Sequence, residues 1–230
     1  MNSFSSISIR VKILIIVLIA IIGFSILLFF NYMVTHENTN RLQNVKDIYF
    51  PTLERIDANL VRLDKIKGTL NAAVISAEID MLEDADELAQ QTRSAFDEIT
   101  KLDAATVSEV KDLSSLFDHY YSNAKQLTTG MVNETIKAEK IKLSVEKMRD
   151  SLIAYSNALT AFRLASYKRF TGNIVDANNA SEAALNIGLS VSLLVITIVA
   201  LSGFLIGVMI ERNVMNVVTA LDEIAEGGGG

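Results

Sequence analysis

From Ile13 to Phe30, and again from Ala183 to Ile210, the chain carries no charged residue. Between these runs lie about 150 residues in which apolar positions recur three and four apart. A bilayer core of about 30 Å takes roughly 20 helical residues to cross, so each run is long enough to span it. The predicted spans are 11–33 and 184–210, with a cytoplasmic start at 1–10, a polar helical domain at 34–183 and a short tail at 211–230. Phe29-Phe30-Asn31-Tyr32-Met33 offers no small-x-small cleavage site, so the first run reads as an uncleaved anchor rather than a signal peptide.

Within the polar domain, apolar or small residues step along Leu53, Ile56, Leu60, Leu63, Leu70, Val74, Ala77 and Met81, with Lys67 the one charged occupant. This spacing predicts a long amphipathic helix from about Val34 to Ala77, with a coiled-coil-like seam. A turn is expected over Ser76–Leu82, where Asp80-x-x-Glu83 has the form of a helix start. A second series, Ala85, Leu88, Thr92, Ala95, Ile99 and Leu102, predicts a helix ending near Asp103. Thr106-x-x-Glu109 then reads as a capping box for the next. The third series is Val110, Leu113, Phe117, Tyr120, Ala124, Leu127 and Met131. Thr128-Thr129-Gly130 reads as a turn, and Ile141, Val145, Met148, Leu152, Tyr155, Leu159, Phe162 and Ser166 form the last series. This helix runs without a breaker into the second apolar run. The fold class expected is all-α: an antiparallel up-down-up-down four-helix bundle flanked by two transmembrane helices. Pro51 has no amide proton for the carbonyl of Asp47, so the first helix should kink or restart there.

Composition narrows the function classes. The chain has one proline and no cysteine, and half its residues are apolar, which suits long helices and leaves no thiolate metal site or disulfide. A net charge of −6 argues against a nucleic-acid partner. Arg10 and Lys12 ahead of the first uncharged run, and Arg212 after the second, place both termini in the cytoplasm. A translocated domain as long as 34–183 is exempt from that rule, and in a bacterial cell it is periplasmic. Phe29, Phe30 and Tyr32 fit an interfacial aromatic belt, and Gly203-x-x-x-Gly207 permits close helix approach.

Two histidines, His36 and His119, far apart on the expected bundle, are too few for a metal site or a histidine-based triad. The acids Glu83, Asp84, Asp86 and Glu87 read as a solvated helix start, not as catalytic carboxylates. No glycine-rich phosphate loop is present. The expectation is therefore a protein that is no enzyme and has no catalytic residues, metal or cofactor. For ligand binding the candidates are Arg55, Arg62, Arg149 and Tyr155. Arg55 and Arg62 share a helix face, and counting residues up the first helix and down the last sets Arg62 level with Tyr155 and Arg149 level with Gly68. Guanidinium groups on a shared face suit a carboxylate. The plainer alternative is that they pair with acids such as Asp57 and Asp64.

After the second span comes Glu211-Arg212-Asn213-Val214, then Val217, Ala220-Leu221 and Ile224-Ala225-Glu226-Gly227. This resembles the first helix of a HAMP linker, with Asn213 where that family has proline. With the two spans and the helical domain between them, the whole chain resembles the sensory half of a methyl-accepting chemotaxis protein. That resemblance implies a membrane-embedded homodimer that binds a small molecule or a periplasmic binding protein. It also implies an inner-membrane location and control of a cytoplasmic kinase and adaptor through a part absent from this chain. The tail stops before a second HAMP helix, so a truncated piece is expected, with Gly227–Gly230 either native linker or an added tail. The competing readings are the sensor half of a histidine kinase or of a cyclic-dinucleotide enzyme, and a membrane scaffold that senses nothing.

Overall fold

The computed structural model describes the backbone of residues 8–227, with side chains except those of Ile9 and 223–227. Most of the expected cytoplasmic start, glycines 228–230 and the side chains of the Ile224-Ala225-Glu226-Gly227 motif lie outside the described residues. Among those described there is no strand. The order is α1 (Ile9–Asn44), a π-helical turn (Val45–Tyr49), α2 (Phe50–Ser76), α3 (Met81–Leu102), a 3-10 turn (Ala104–Thr106), α4 (Val107–Val132) and α5 (Ala138–Gly227). Two of these helices, α1 and α5, contain stretches long and apolar enough to cross a membrane, almost wholly exposed.

The chain divides into two compact units, 1–39 with 178–230, and 40–177. In the first, α1 and the end of α5 run antiparallel. Gly23 lies so close to Val195 that a Cβ there would sit 2.8 Å from its Cγ2, Asn38 Nδ2 donates to Ser181 Oγ at 2.7 Å, and Lys12 Nζ contacts Met209 Sδ at 3.6 Å. The close approach is therefore made at Gly23. Gly203 and Gly207 have nothing within 4 Å and face open space.

In the 40–177 unit, α2, α3, α4 and the first part of α5 contribute to one core. Small residues let α2 and α3 approach: Ala73, Ala85 and Ala89 are fully enclosed, as are Asn59 and Thr92 to within 1%. Bulk comes from α4 and α5, where Phe117 meets Tyr155 at 5.2 Å between ring centroids and Tyr120 stacks on Tyr155 at 6.4 Å. Cross-links fix antiparallel neighbours. Arg55 and Arg62 of α2 reach Glu98 and Gln91 of α3, Arg93 of α3 reaches Asp118 of α4, and Asp57 of α2 pairs with Arg163 of α5.

Three local expectations are corrected. The seam of α2 buries Asn59, Ile66 and Ala73, whereas Lys67 is exposed and Val74 only half-buried. An isoleucine one position earlier loses water at no charge-desolvation cost, and Ala73 lets α3 come close. The Thr106 capping box does not form: Asp103 accepts from the Ala105 amide at 3.0 Å, and Thr106 Oγ1 donates to the Asp103 carbonyl. Asp80 does stand at the start of α3, as its spacing predicts, although without a side-chain cap. Thr128-Thr129-Gly130 is helical, and the chain reverses only at 133–137, where Glu134 takes a left-handed φ of 54°. Pro51 falls near the start of α2, directly after the π turn. The amide of Phe50 reaches back to the carbonyl of Val45, a wide loop that absorbs the bond Pro51 cannot make.

Candidate functional site

Arg55 and Arg62 are two helical turns apart on α2, so both flank the same groove against α3. It is a surface recess of about 380 Å³ lined also by Glu54, Ala58, Gln91, Ser94 and Glu98. Arg55 is already committed, its Nε donating to Glu98 Oε2 at 2.6 Å and its Nη1 to the carbonyl of Pro51 at 2.9 Å. Arg62 is held by neutral groups only. Its Nη1 donates to Asn59 Oδ1 at 2.7 Å and its Nε to Gln91 Oε1 at 3.4 Å, and Asn59 in turn donates to the Thr92 carbonyl at 3.3 Å. A fully buried amide thus sets the direction of one half-buried guanidinium. With Glu54 and Glu98 in the lining, the groove is close to charge-balanced, and Arg62 is its one cation facing no carboxylate at ion-pair distance among the described residues.

The other two candidates lie elsewhere. Tyr155 is level with this part of α2, since Leu63 and Asp64 share a groove with Ile153 and Ser156, but its ring points into the core and is fully buried. Burial raises its pKa, with a smaller push from Tyr120, and its hydroxyl has no partner. Tyr120 is pushed up to about 12 by burial, then by the charge of Asp64. Arg149 is exposed on α5, with only its neighbour Asp150 at 3.4 Å. The structure thus brings Arg55 and Arg62 together and leaves Tyr155 and Arg149 apart from them.

A second polar cluster has no counterpart in the sequence reading. Asp86 of α3 accepts from Lys125 Nζ and from the Tyr121 hydroxyl, all at 2.7 Å, and Arg93 lies over the rings of Phe117 and Tyr121 at 5.6 Å. Burial alone would raise the Asp86 pKa. The hydrogen bonds from Lys125 and Tyr121, with the charges of Lys125 and Arg93, outweigh it and hold the carboxyl below its ordinary value. Asp86 is tens of positions from Tyr121 and Lys125 in the chain, and only its place two turns from Arg93 on one face hinted at the cluster.

Among the described residues no group of three or more His, Asp or Glu is placed to hold a metal ion. His119 is exposed on α4, its Nδ1 3.4 Å from the amide of Asn123. What the guanidinium groups of the α2–α3 groove can do chemically is bind and orient an anion. No protein-family model, curated protein or solved structure matches the chain.

Proposed function

We propose that the chain is the sensory half of a transmembrane receptor of the methyl-accepting chemotaxis type. In this reading the 40–177 unit is an antiparallel up-down-up-down four-helix bundle in the periplasm. The apolar stretches of α1 and α5 are its two inner-membrane spans, both termini are cytoplasmic, and residues from Glu211 onward begin a HAMP linker. The observation that carries it is α5 itself: one unbroken helix, Ala138–Gly227, supplies Tyr155, Leu159 and Phe162 to a polar unit's core and then contains the second apolar stretch. A stimulus that favours one packing of the core would bias α5, and a coupling of about 1–3 kcal/mol suffices for signalling. The receptor works as a homodimer and reaches its kinase and adaptor through a cytoplasmic part. Arg62, oriented by Asn59 and facing no acid, is the α2–α3 group best prepared to meet a carboxylate or an acidic partner surface.

The absence of cysteine makes the test direct. Single cysteines placed at exposed Ser115 and at Asn213 should react with an impermeant maleimide from outside the cell only in the first case. Residues 1–227 fused to a chemoreceptor signalling rod should put a kinase under the control of a periplasmic stimulus. Labelling of both positions from the same side, or a chimera whose kinase output ignores every periplasmic addition while remaining folded, defeats the reading.

A further inference from the structure

A recess in the 40–177 unit lies between the end of α4 and the start of α5, away from the arginine groove. Its volume is about 780 Å³, within the range of small-molecule sites. Three lysines line it, Lys137, Lys140 and Lys147, together with the neutral polar groups of Asn123, Gln126, Thr129, Thr135 and Ser144, and no Asp or Glu. Among the described residues none of the three ammonium groups has an ion-pair partner. By contrast, Arg55, Arg93, Lys125 and Arg163 are each answered by an acid.

Their place on α5 sharpens the contrast. Lys140, Ser144, Lys147 and Ser151 follow one another at helical spacing, and Ser151 is buried against α4, its Oγ accepting from Asn123 Nδ2 at 3.3 Å. The inward residues of α5 are Tyr155, Leu159 and Phe162, with Met148 and Leu152 packed against the same core, while the exposed Lys140 and Lys147 border the recess beside α4. The lip of the recess is built rather than loose. The amides of Thr135 and Ile136 both donate to the Gly130 carbonyl, at 3.0 and 3.1 Å, and Gly130 permits this because a Cβ there would lie 3.2 Å from that of Ile136. This turn holds Lys137 at the rim. The first turn of α5 adds amide dipoles of the same sign as the lysines.

We propose that this recess binds a small polyvalent anion, a di- or tricarboxylate or phosphate, through Lys137, Lys140 and Lys147, with the amides and hydroxyls of Asn123, Gln126 and Ser144 completing its hydrogen bonds. Two or three negative charges are needed to neutralise three gathered ammonium groups, and the neutral polar wall accepts and donates without adding a competing acid. As the identity of the stimulus, the assignment rests on the receptor reading above.

The test uses the full chain in nanodiscs of uncharged lipid at a constant ionic strength of about 0.15 M, where non-specific attraction is screened. Citrate, succinate and inorganic phosphate are titrated calorimetrically against a chloride control. At least one should bind with submillimolar affinity; citrate or succinate alone would mark a carboxylate site, and phosphate alone a phosphate site. The double substitution Lys140→Gln/Lys147→Gln should raise Kd by about tenfold or more, a loss of about 1.4 kcal/mol, and Lys168→Gln, at an exposed lysine of α5 outside the recess, should leave it unchanged; Arg62→Gln tells binding here from binding in the α2–α3 groove. All three probes behaving as chloride does, or affinity that survives the double substitution in a protein of unchanged helicity, overturns the site. Affinity that depends on Arg62 instead also removes it but leaves the receptor reading standing. Binding at the lysines together with maleimide labelling on the wrong side does the reverse.

Discussion

Two polar recesses of the 40–177 unit are built on opposite terms. Between α2 and α3 the helices meet on alanines, and the groove holds both arginines by direct hydrogen bonds: Arg55 is answered by Glu98, and Arg62 is tied to the neutral groups of Asn59 and Gln91. Between the upper ends of α4 and α5 the helices are held apart, and three lysines face a recess twice as large with no acid in it. A charge answered within the chain serves chiefly to set helix register, whereas unanswered charges of one sign around a formed recess retain capacity for a ligand. The contrast therefore separates a groove whose two guanidinium groups are held in place from a recess whose three ammonium groups are not.

The largest expected effect tests whether the first region is full and the second empty. Ala89→Leu forces a large side chain into a fully enclosed position and should cost about 1–3 kcal/mol. Ser144→Leu, in the α4–α5 recess, should stay within about 0.5 kcal/mol of the parent chain. Denaturant midpoints of the full chain compare the two, and equal losses would mean that the recess is no more open than the seam.

Much of this architecture was legible because burial writes a period into the chain. The α4 series Val110, Leu113, Phe117, Tyr120, Ala124 and Leu127 is buried throughout, and α3 ends at Leu102 beside the expected Asp103. The seam of α2 slipped after Leu63 because steps of three and four alternate, and the pattern alone admits either Ile66 or Lys67; desolvation decides for isoleucine. Gly130 did mark a reversal, but it permits the returning strand of chain to approach rather than breaking the helix, so the turn falls three residues later. For the site, a spacing of seven put Arg55 and Arg62 on one groove, and the level count set Tyr155 at the height of Arg62. Membership of the buried stripe was the better guide to where the Tyr155 ring points. The lysine recess was not legible, since Lys137, Lys140 and Lys147 look like an ordinary solvated face until the width of the α4–α5 gap is known.

The buried hydroxyl of Tyr155 gives the next effect. A donor enclosed without a partner costs about 1–3 kcal/mol, so Tyr155→Phe should leave the ring packing on Phe117 and Tyr120 intact and stabilise the protein by about 1 kcal/mol. Thermal unfolding of the variant measures it. A destabilised Tyr155→Phe would reveal a partner for the hydroxyl and reopen the tyrosine as part of a site. Alkaline unfolding carries the same signature. The folded pKa of Tyr120 is raised from 10.0 to about 12, so its contribution is intact below pH 10 and is lost as pH climbs through the folded value.

Asp86 probes a charge answered within the chain. Its folded pKa lies below 3.8, so the stability it adds is present above that pH and disappears as pH falls through the lower, folded value. The side chain is 47% exposed, which limits the contribution to under about 1 kcal/mol. Asp86→Asn should therefore lower the melting temperature at pH 7 by a small amount and flatten its decline below about pH 4, relative to the parent. A parent and variant with parallel acid limbs would show that Lys125 and Tyr121 do not hold this carboxylate in solution.

The smallest effect is the most diagnostic of the lysine recess, because its sign is opposite to that of an ordinary surface ion pair. Gathering Lys137, Lys140 and Lys147 around one space without an acid costs mutual repulsion, so removing the middle charge should stabilise the protein. Lys140→Gln is expected to gain a few tenths of a kcal/mol at low salt, the scale of like-charge neighbours on a helix surface. Arg55→Gln, which breaks the pair with Glu98, should lose up to about 1 kcal/mol under the same conditions. Raising the salt toward 1 M shortens the screening length to about 3 Å and should erase the gain at Lys140 first, since the ammonium groups face solvent across an open recess. A polyvalent anion should erase it at far lower concentration than chloride, because it neutralises the cluster by binding. A Lys140→Gln variant that is less stable than the parent at every salt concentration would show that the lysine is answered within the fold after all, and the distinction between the two recesses would fall with it.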